Sequence, residues 1–169
     1  MSTPVRNRRG QRGMTLIEMA MVLAIISIVA AIAAPPMALF VNDARLSSQT
    51  NQLVASLNAA RLEAITRRTT VTVCQTAAPN SATACSTSGT SDWSNGWIAM
   101  TAGGTVLRRV HPSPNLVVTT TSASTSFGPT LGNSTTASYK LCIKGAKEHE
   151  VLVAPSGRVT QKVNNSVCS

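Results

Sequence analysis

The segment that decides the fold is residues 6–36, RNRRGQRGMTLIEMAMVLAIISIVAAIAAPP. Arg6, Arg8, Arg9 and Arg12 precede an apolar run of 21 residues, Met14 to Ala34, whose only charged member is Glu18. As a helix rising about 1.5 Å per residue, the run is roughly 31 Å long, which matches the hydrocarbon thickness of a bilayer. The arginines have no acidic residue among them, so the positive-inside rule holds residues 1–13 in the cytoplasm and sends the C-terminal part across. Glu18 is the anomaly. An unpaired charge at membrane depth costs about 2.5 to 3.5 kcal/mol, so a partner is expected for it.

A secretory signal would begin in the same way, and Ala31, Ile32 and Ala33 offer a small-x-small cleavage site. The apolar run, however, exceeds the usual ~7 to 15 residues of such a signal and contains a charge. An uncleaved anchor accounts for the length and the arginines but gives Glu18 no purpose. The stretch RGMTLIE, residues 12–18, resembles the processing site of type IV pilins and of type II secretion pseudopilins. That resemblance implies cleavage by a prepilin peptidase between Gly13 and Met14, followed by N-methylation of Met14. Thr15 and Leu16 occupy the usual places of the motif, and Glu18 is its glutamate, the fifth residue of the mature chain. Met14 stands where the family prefers phenylalanine, and Pro35 falls where pilins commonly carry a helix-bending proline. In such proteins the glutamate pairs with the methylated amine of a neighbouring subunit, so that two charges costly to bury alone offset each other.

The 169 residues leave room for one spanning helix and one globular domain. The formal charge is +9, but four of the fifteen basic residues lie before Gly13, which leaves eleven against six acidic ones. A mature chain of that balance permits contact with nucleic acid or anionic surfaces without requiring either. All four cysteines, Cys74, Cys85, Cys142 and Cys168, lie beyond the apolar run, in the exported part. An even number there favours disulfides, and no C-x-x-C pair or nearby histidine supplies zinc spacing, so no metal and no cofactor are expected. Four cysteines permit three pairings.

Beyond Pro36, Leu46, Thr50, Leu53, Leu57, Ala60 and Ala64 recur at spacings of four and three and line one face of a helix running to about Arg67. Residues 14–67 therefore read as one long bent helix, since proline in a membrane-embedded helix leaves a kink more often than a break. After Arg68 come short runs rich in threonine and valine: TTVTVC, GWIAMT, TVLRRV, NLVVTT, YKLCIK, EVLVAP and GRVTQKV. Separated by Gly, Pro, Asn and Ser, they predict the strands of a mostly antiparallel sheet. Gly103 and Gly104 mark a tight hairpin. Residues 76–95 and 119–138, rich in serine and threonine, predict loops or irregular edge strands.

RLEAITRRTTVTVC at 61–74 and WSNGWIAM at 93–100, with APSGRV at 154–159, resemble the GspH/FimT family of type IV minor pilins and pseudopilins. The resemblance implies an α+β, type IV pilin-like fold: a long N-terminal helix, membrane-spanning in its first half, packed on a mostly antiparallel β-sheet. The expected organisation is a cleaved cytoplasmic leader, 1–13, a transmembrane and assembly segment, 14–41, and a soluble pilin domain, 42–169. Pairing of Cys74 with Cys85 and of Cys142 with Cys168 is expected, because long C-terminal staples are common in type IV pilins. The cysteines also tilt the resemblance toward the FimT/FimU-like minor pilins.

Nothing in the sequence forms a catalytic constellation, so no enzyme is expected. His111 and His149 are far apart in sequence, and KEHEV at 147–151 reads as a solvated strand or turn. Trp93 and Trp97 could stack on bases, but tryptophans bracketing a strand entry more often pack on a helix. Basic residues are the better lead: Arg67 with Arg68, Arg108 with Arg109, Lys140 with Lys144 and Lys147, and Arg158 with Lys162. FimT-type pilins of naturally competent bacteria bind DNA through a basic C-terminal region with a Gly-Arg-x-Arg motif. Here Gly157 and Arg158 fit that motif, Thr160 replaces its second arginine, and Lys162 is the nearest substitute; phosphate contacts tolerate that exchange.

The expected function is a minor type IV pilin that primes assembly or sits at the tip. The alternatives are a DNA-binding pilin for natural transformation and a GspH-like pseudopilin of type II secretion. The expected partners are the prepilin peptidase, other major and minor pilins, the inner membrane and, in the DNA-binding reading, DNA. The expected location is the inner membrane, single-pass with a periplasmic C-terminal domain, and then the pilus fibre.

Overall fold

The computed structural model describes residues 14–87, 89 and 91–169, with the side chains of residues 32–36, 91 and 92 excepted. One helix, α1, covers Leu16–Arg67. It is followed by β1 (Val71–Gln75), a 3-10 turn (Ser91–Ser94), β2 (Trp97–Thr101), β3 (Val106–Val110), β4 (Val117–Thr120), β5 (Ser124–Phe127), β6 (Ala137–Cys142), β7 (Lys147–Val153) and β8 (Val159–Val167). The chain divides into two compact units, Met1–Ala38 and Leu39–Ser169. The second contains every residue of the hydrophobic core and both disulfides, so it has what an independently folding domain needs.

In the first unit α1 starts at a cap. Thr15 accepts from the backbone N–H of Glu18 with both its carbonyl oxygen, at 3.1 Å, and its Oγ1, at 3.3 Å. The Thr-x-x-Glu spacing is that of a capping box, and it places a carboxylate in the first turn, where the helix dipole favours negative charge. From Met14 to Ala31 the described side chains are exposed, Leu16 at 88% and Ile17 at 73%. Among the described residues no helix is long and apolar enough to cross a membrane. The apolar run continues into residues 32–36, and so the expected span, like Pro35 and its expected bend, lies partly outside the described residues.

In the second unit the stripe Leu46, Thr50, Leu53, Leu57, Ala60 and Ala64 is buried throughout, as the alternating spacing requires. α1 ends at Arg67 and is followed by Arg68, whose φ of 50° supplies the left-handed residue that terminates many helices. One sheet was expected, and there are two. The strand orders are β3-β2-β1-β5 and β4-β6-β7-β8, all neighbours antiparallel. β5 lies inside the stretch 119–138, expected to be loop or irregular edge strand, and closes one edge of the first sheet. As a four-residue edge strand on β1 it buries Thr125 and Phe127. Thr125 Oγ1 meets the Tyr139 hydroxyl at 2.6 Å, joining the two sheets by a buried hydrogen bond. Burial, opposed in part by this bond, pushes the Tyr139 phenol up to about 12.

Both tryptophans are core residues, which excludes base stacking. Trp93 and Trp97 are at most 1% exposed, with ring centroids 6.3 Å apart, and each indole N–H has a partner: Ser122 O for Trp93 and Ser56 Oγ for Trp97. Full burial of such rings makes them leading contributors to the packing of α1 on the sheets. The Gly103–Gly104 hairpin forms between β2 and β3, with Gly104 at φ 83° donating to Thr101 O.

Candidate functional site

The first candidate region is the start of the mature chain. Gly13 lies outside the described residues. Met14, Thr15, Leu16 and Glu18 are all exposed, and among the described residues Glu18 is the only charge between Met14 and Ala31. This stretch is an apolar surface with one carboxylate one turn from its start. It can bind another apolar surface that brings one cation.

The four basic groups singled out from the sequence do not converge on one face. Arg67 pairs with Glu63 one turn back on α1, an exposed pair of little energetic weight. Arg109 is a structural residue, because its Nη1 donates to the carbonyl oxygens of Pro79 and Ala82 and fastens the loop after β1. Lys140, Glu150 and Lys162 stand side by side across β6, β7 and β8, so a carboxylate separates the two lysines. Glu148 reaches Lys140 at 3.9 Å and accepts from Asn164 Nδ2 at 2.7 Å. The face that carries Lys140 and Lys162 thus also carries two glutamates. Arg158 lies in the β7–β8 turn and Lys144 in the β6–β7 turn, at opposite ends of β7, a seven-residue strand about 20 Å long. Arg158 also borders a groove of about 470 Å³ whose other walls include Leu152, Val153 and Pro155, an apolar setting.

KEHEV is not fully solvated as expected: it forms the first part of β7, and Glu148, His149 and Glu150 are half-buried between β6 and β8. Burial lowers the His149 pKa below its usual value, and the charge of Asp43 on α1 partly opposes that shift. Cys74 is bonded to Cys85 and Cys142 to Cys168, each pair with Cα atoms 5.6 Å apart. The first bridge closes the loop after β1. The second ties the end of β8 to the end of β6, where Cys168 N–H also donates to Ala146 O and Gly145 N–H to Cys168 O. Among the described residues no group of His, Cys, Asp and Glu could hold a metal ion.

Several anchoring residues were not read from the sequence. Asn42 Nδ2 donates to Lys144 O at 3.1 Å, and Asp43 Oδ1 accepts from Lys147 N–H at 3.1 Å, so the β6–β7 turn is fastened to α1. Their signal was modest: they are the first polar residues after a long apolar run. Arg61 clamps two turns, its Nη2 donating to Ser156 O at 3.1 Å and Leu131 O at 3.4 Å. No spacing in the sequence marks these three loops as neighbours.

A family model described as type II transport protein GspH matches residues 49–157. A second, described as the prokaryotic N-terminal methylation motif, matches residues 8–34. Two crystal structures of the type IV minor pilin FimU from Pseudomonas aeruginosa PAO1 share the fold. One is 19% identical, with a TM-score of 0.56 over 75% of this chain and 98% of that one. The other is 18% identical, with a TM-score of 0.52 over 72% and 98%. Comparison with curated proteins finds no match.

Proposed function

This chain belongs to the GspH family and carries its methylation motif on a type IV pilin fold, and from that premise we propose that it is a minor type IV pilin that primes fibre assembly. Residues 1–13 form a cytoplasmic leader that a prepilin peptidase removes after Gly13. Met14 is methylated, residues 14–41 anchor the subunit in the inner membrane and then join the fibre core, and residues 42–169 face the periplasm. One observation carries the reading: the apolar first part of α1 is exposed from Met14 to Ala31, with Glu18 its single charge. Such a surface is stable only in lipid or against copies of itself. Among the described residues no cation pairs with Glu18, and a neighbour's new amine would supply one.

The type II secretion alternative is favoured by the name of the matching family model, which describes a transport protein. DNA uptake has less support, because the candidate residues Lys140, Lys144, Lys147, Arg158 and Lys162 are spread over both ends of the second sheet and interleaved with Glu148 and Glu150. Glu18→Ala tests the assembly role. The variant inserts in the membrane normally and is depleted from sheared pili; wild-type incorporation would sink the docking role. Deleting the gene lowers surface piliation and spares exoenzyme secretion, whereas the opposite pattern would identify a secretion pseudopilin.

A further inference from the structure

Arg45, Lys144 and Lys147 are exposed and are carried by α1 and the β6–β7 turn where these two elements are joined. Asn42 and Asp43 hold the β6–β7 turn against α1, at 3.1 Å each, and Arg45 lies one turn on from Asn42 along the same face of the helix. Gly145 closes the contact: a Cβ there would lie 3.0 Å from Leu39 Cδ2. Beside the cations the helix exposes Leu39 at 52% and Phe40 at 68%. An apolar collar therefore runs directly into a cationic rim. The nearby acids offset it only in part. Asp43 lies within the rim, and Glu148 is engaged by Lys140 and Asn164.

We infer that this rim is a docking surface for the headgroup layer of an anionic bilayer, which seats the domain on the membrane before the subunit is extracted into a fibre. The inference rests on the reading that residues 14–41 enter the membrane. On that reading Asn42 is the first residue beyond the membrane segment, and Arg45, one turn on, with the β6–β7 turn of Lys144 and Lys147 fastened beside Asn42 and Asp43, is the part of the domain next to the headgroups in sequence. Lipid phosphates there supply the anions. Basic groups near such a surface each strengthen attachment severalfold, and salt screens the effect within about a Debye length. Lys144 and Lys147 are therefore assigned to lipid and not to DNA.

The test uses the fragment 39–169, which contains the whole core and lacks the apolar run, so its binding is independent of helix insertion. Flotation with vesicles of phosphatidylglycerol and phosphatidylcholine should carry the fragment at low salt, and vesicles of phosphatidylcholine alone should not. The triple variant Arg45→Gln, Lys144→Gln, Lys147→Gln should lower partitioning on the order of a hundredfold, while Arg158→Gln with Lys162→Gln leaves it unchanged. Unaltered tryptophan fluorescence confirms folding, because the side chains removed are exposed and the turn is held by Asn42 and Asp43. Equal flotation of the triple variant and the wild type, or no flotation with anionic vesicles at low salt, overturns the inference. So does a wild-type fragment that binds a DNA duplex through the same three residues and ignores vesicles. Carbonate extraction of the full chain from membranes separately reads insertion of residues 14–41, so failure of that reading is told apart from failure of this one.

Discussion

Gly157 stands in the Gly-Arg pair that the sequence aligns with a DNA-binding motif, and the structure gives that glycine a packing role. Its φ is 74°, and a Cβ built on it would lie 1.9 Å from the carbonyl oxygen of Gly132 and 3.0 Å from Arg61 Nε. Gly157→Ala must place a non-glycine residue in the left-handed region, which costs about 1 to 2 kcal/mol. It must also push apart two turns that Arg61 clamps through Leu131 O and Ser156 O. Backbone shifts of that kind cost about 1 to 3 kcal/mol, so the total is roughly 2 to 5 kcal/mol. At about 2.1 cal/mol/K of unfolding entropy per residue, a domain the size of Leu39–Ser169 loses roughly 4 °C of Tm per kcal/mol, hence a fall of about 7 to 18 °C. Differential scanning calorimetry of fragment 39–169 measures this directly. A Tm within about 1 °C of wild type, where the estimate gives ~7 °C or more, would refute the close approach of the two turns.

Replacing Cys142 and Cys168 together by serine removes a bridge across 26 residues of sequence and should cost about 3.5 kcal/mol in denaturant unfolding. Amide exchange should rise first at the C-terminal end of β8, and uniform exchange along the strand would contradict this. His149, with its pKa lowered by burial, binds protons more readily unfolded than folded. Stability should therefore be complete above its unfolded value, about 6.5, and fall as pH drops toward 5. His149→Asn should flatten that part of the Tm profile, and an unchanged slope would show that other groups set it.

The long helix was legible because it is written twice, first as an apolar run and then as a stripe from Leu46 to Ala64. The run extends over many turns and the stripe is periodic over many turns, and the helix they predict holds in the structure as far as the described residues reach. The strands were legible where β-branched residues dominate, as in β1 and β4. β5 was not, because STSF has one large apolar residue and gains its burial from β1 and Tyr139, partners distant in sequence. The division into two sheets was hidden because it rests on which strands pair, β1 with β5 and β4 with β6, and strand texture does not encode pairing. The basic groups were visible as residue types, but their dispersal was set by strand register: Lys140 and Lys162 flank Glu150 only because β7 lies between β6 and β8. The anchoring roles of Asn42, Asp43 and Arg61 depend on loops about 70 to 104 residues away, which local patterning does not encode.

The central claim is that this subunit is processed at its methylation motif and enters a fibre through the exposed start of α1. The most direct test is mass spectrometry of the N-terminal peptide, from membranes and from sheared pili of the native host. The account predicts a single N-methylated Met14 in both fractions. A chain that begins at Met1, or at Ala34 after signal peptidase cleavage, would contradict it.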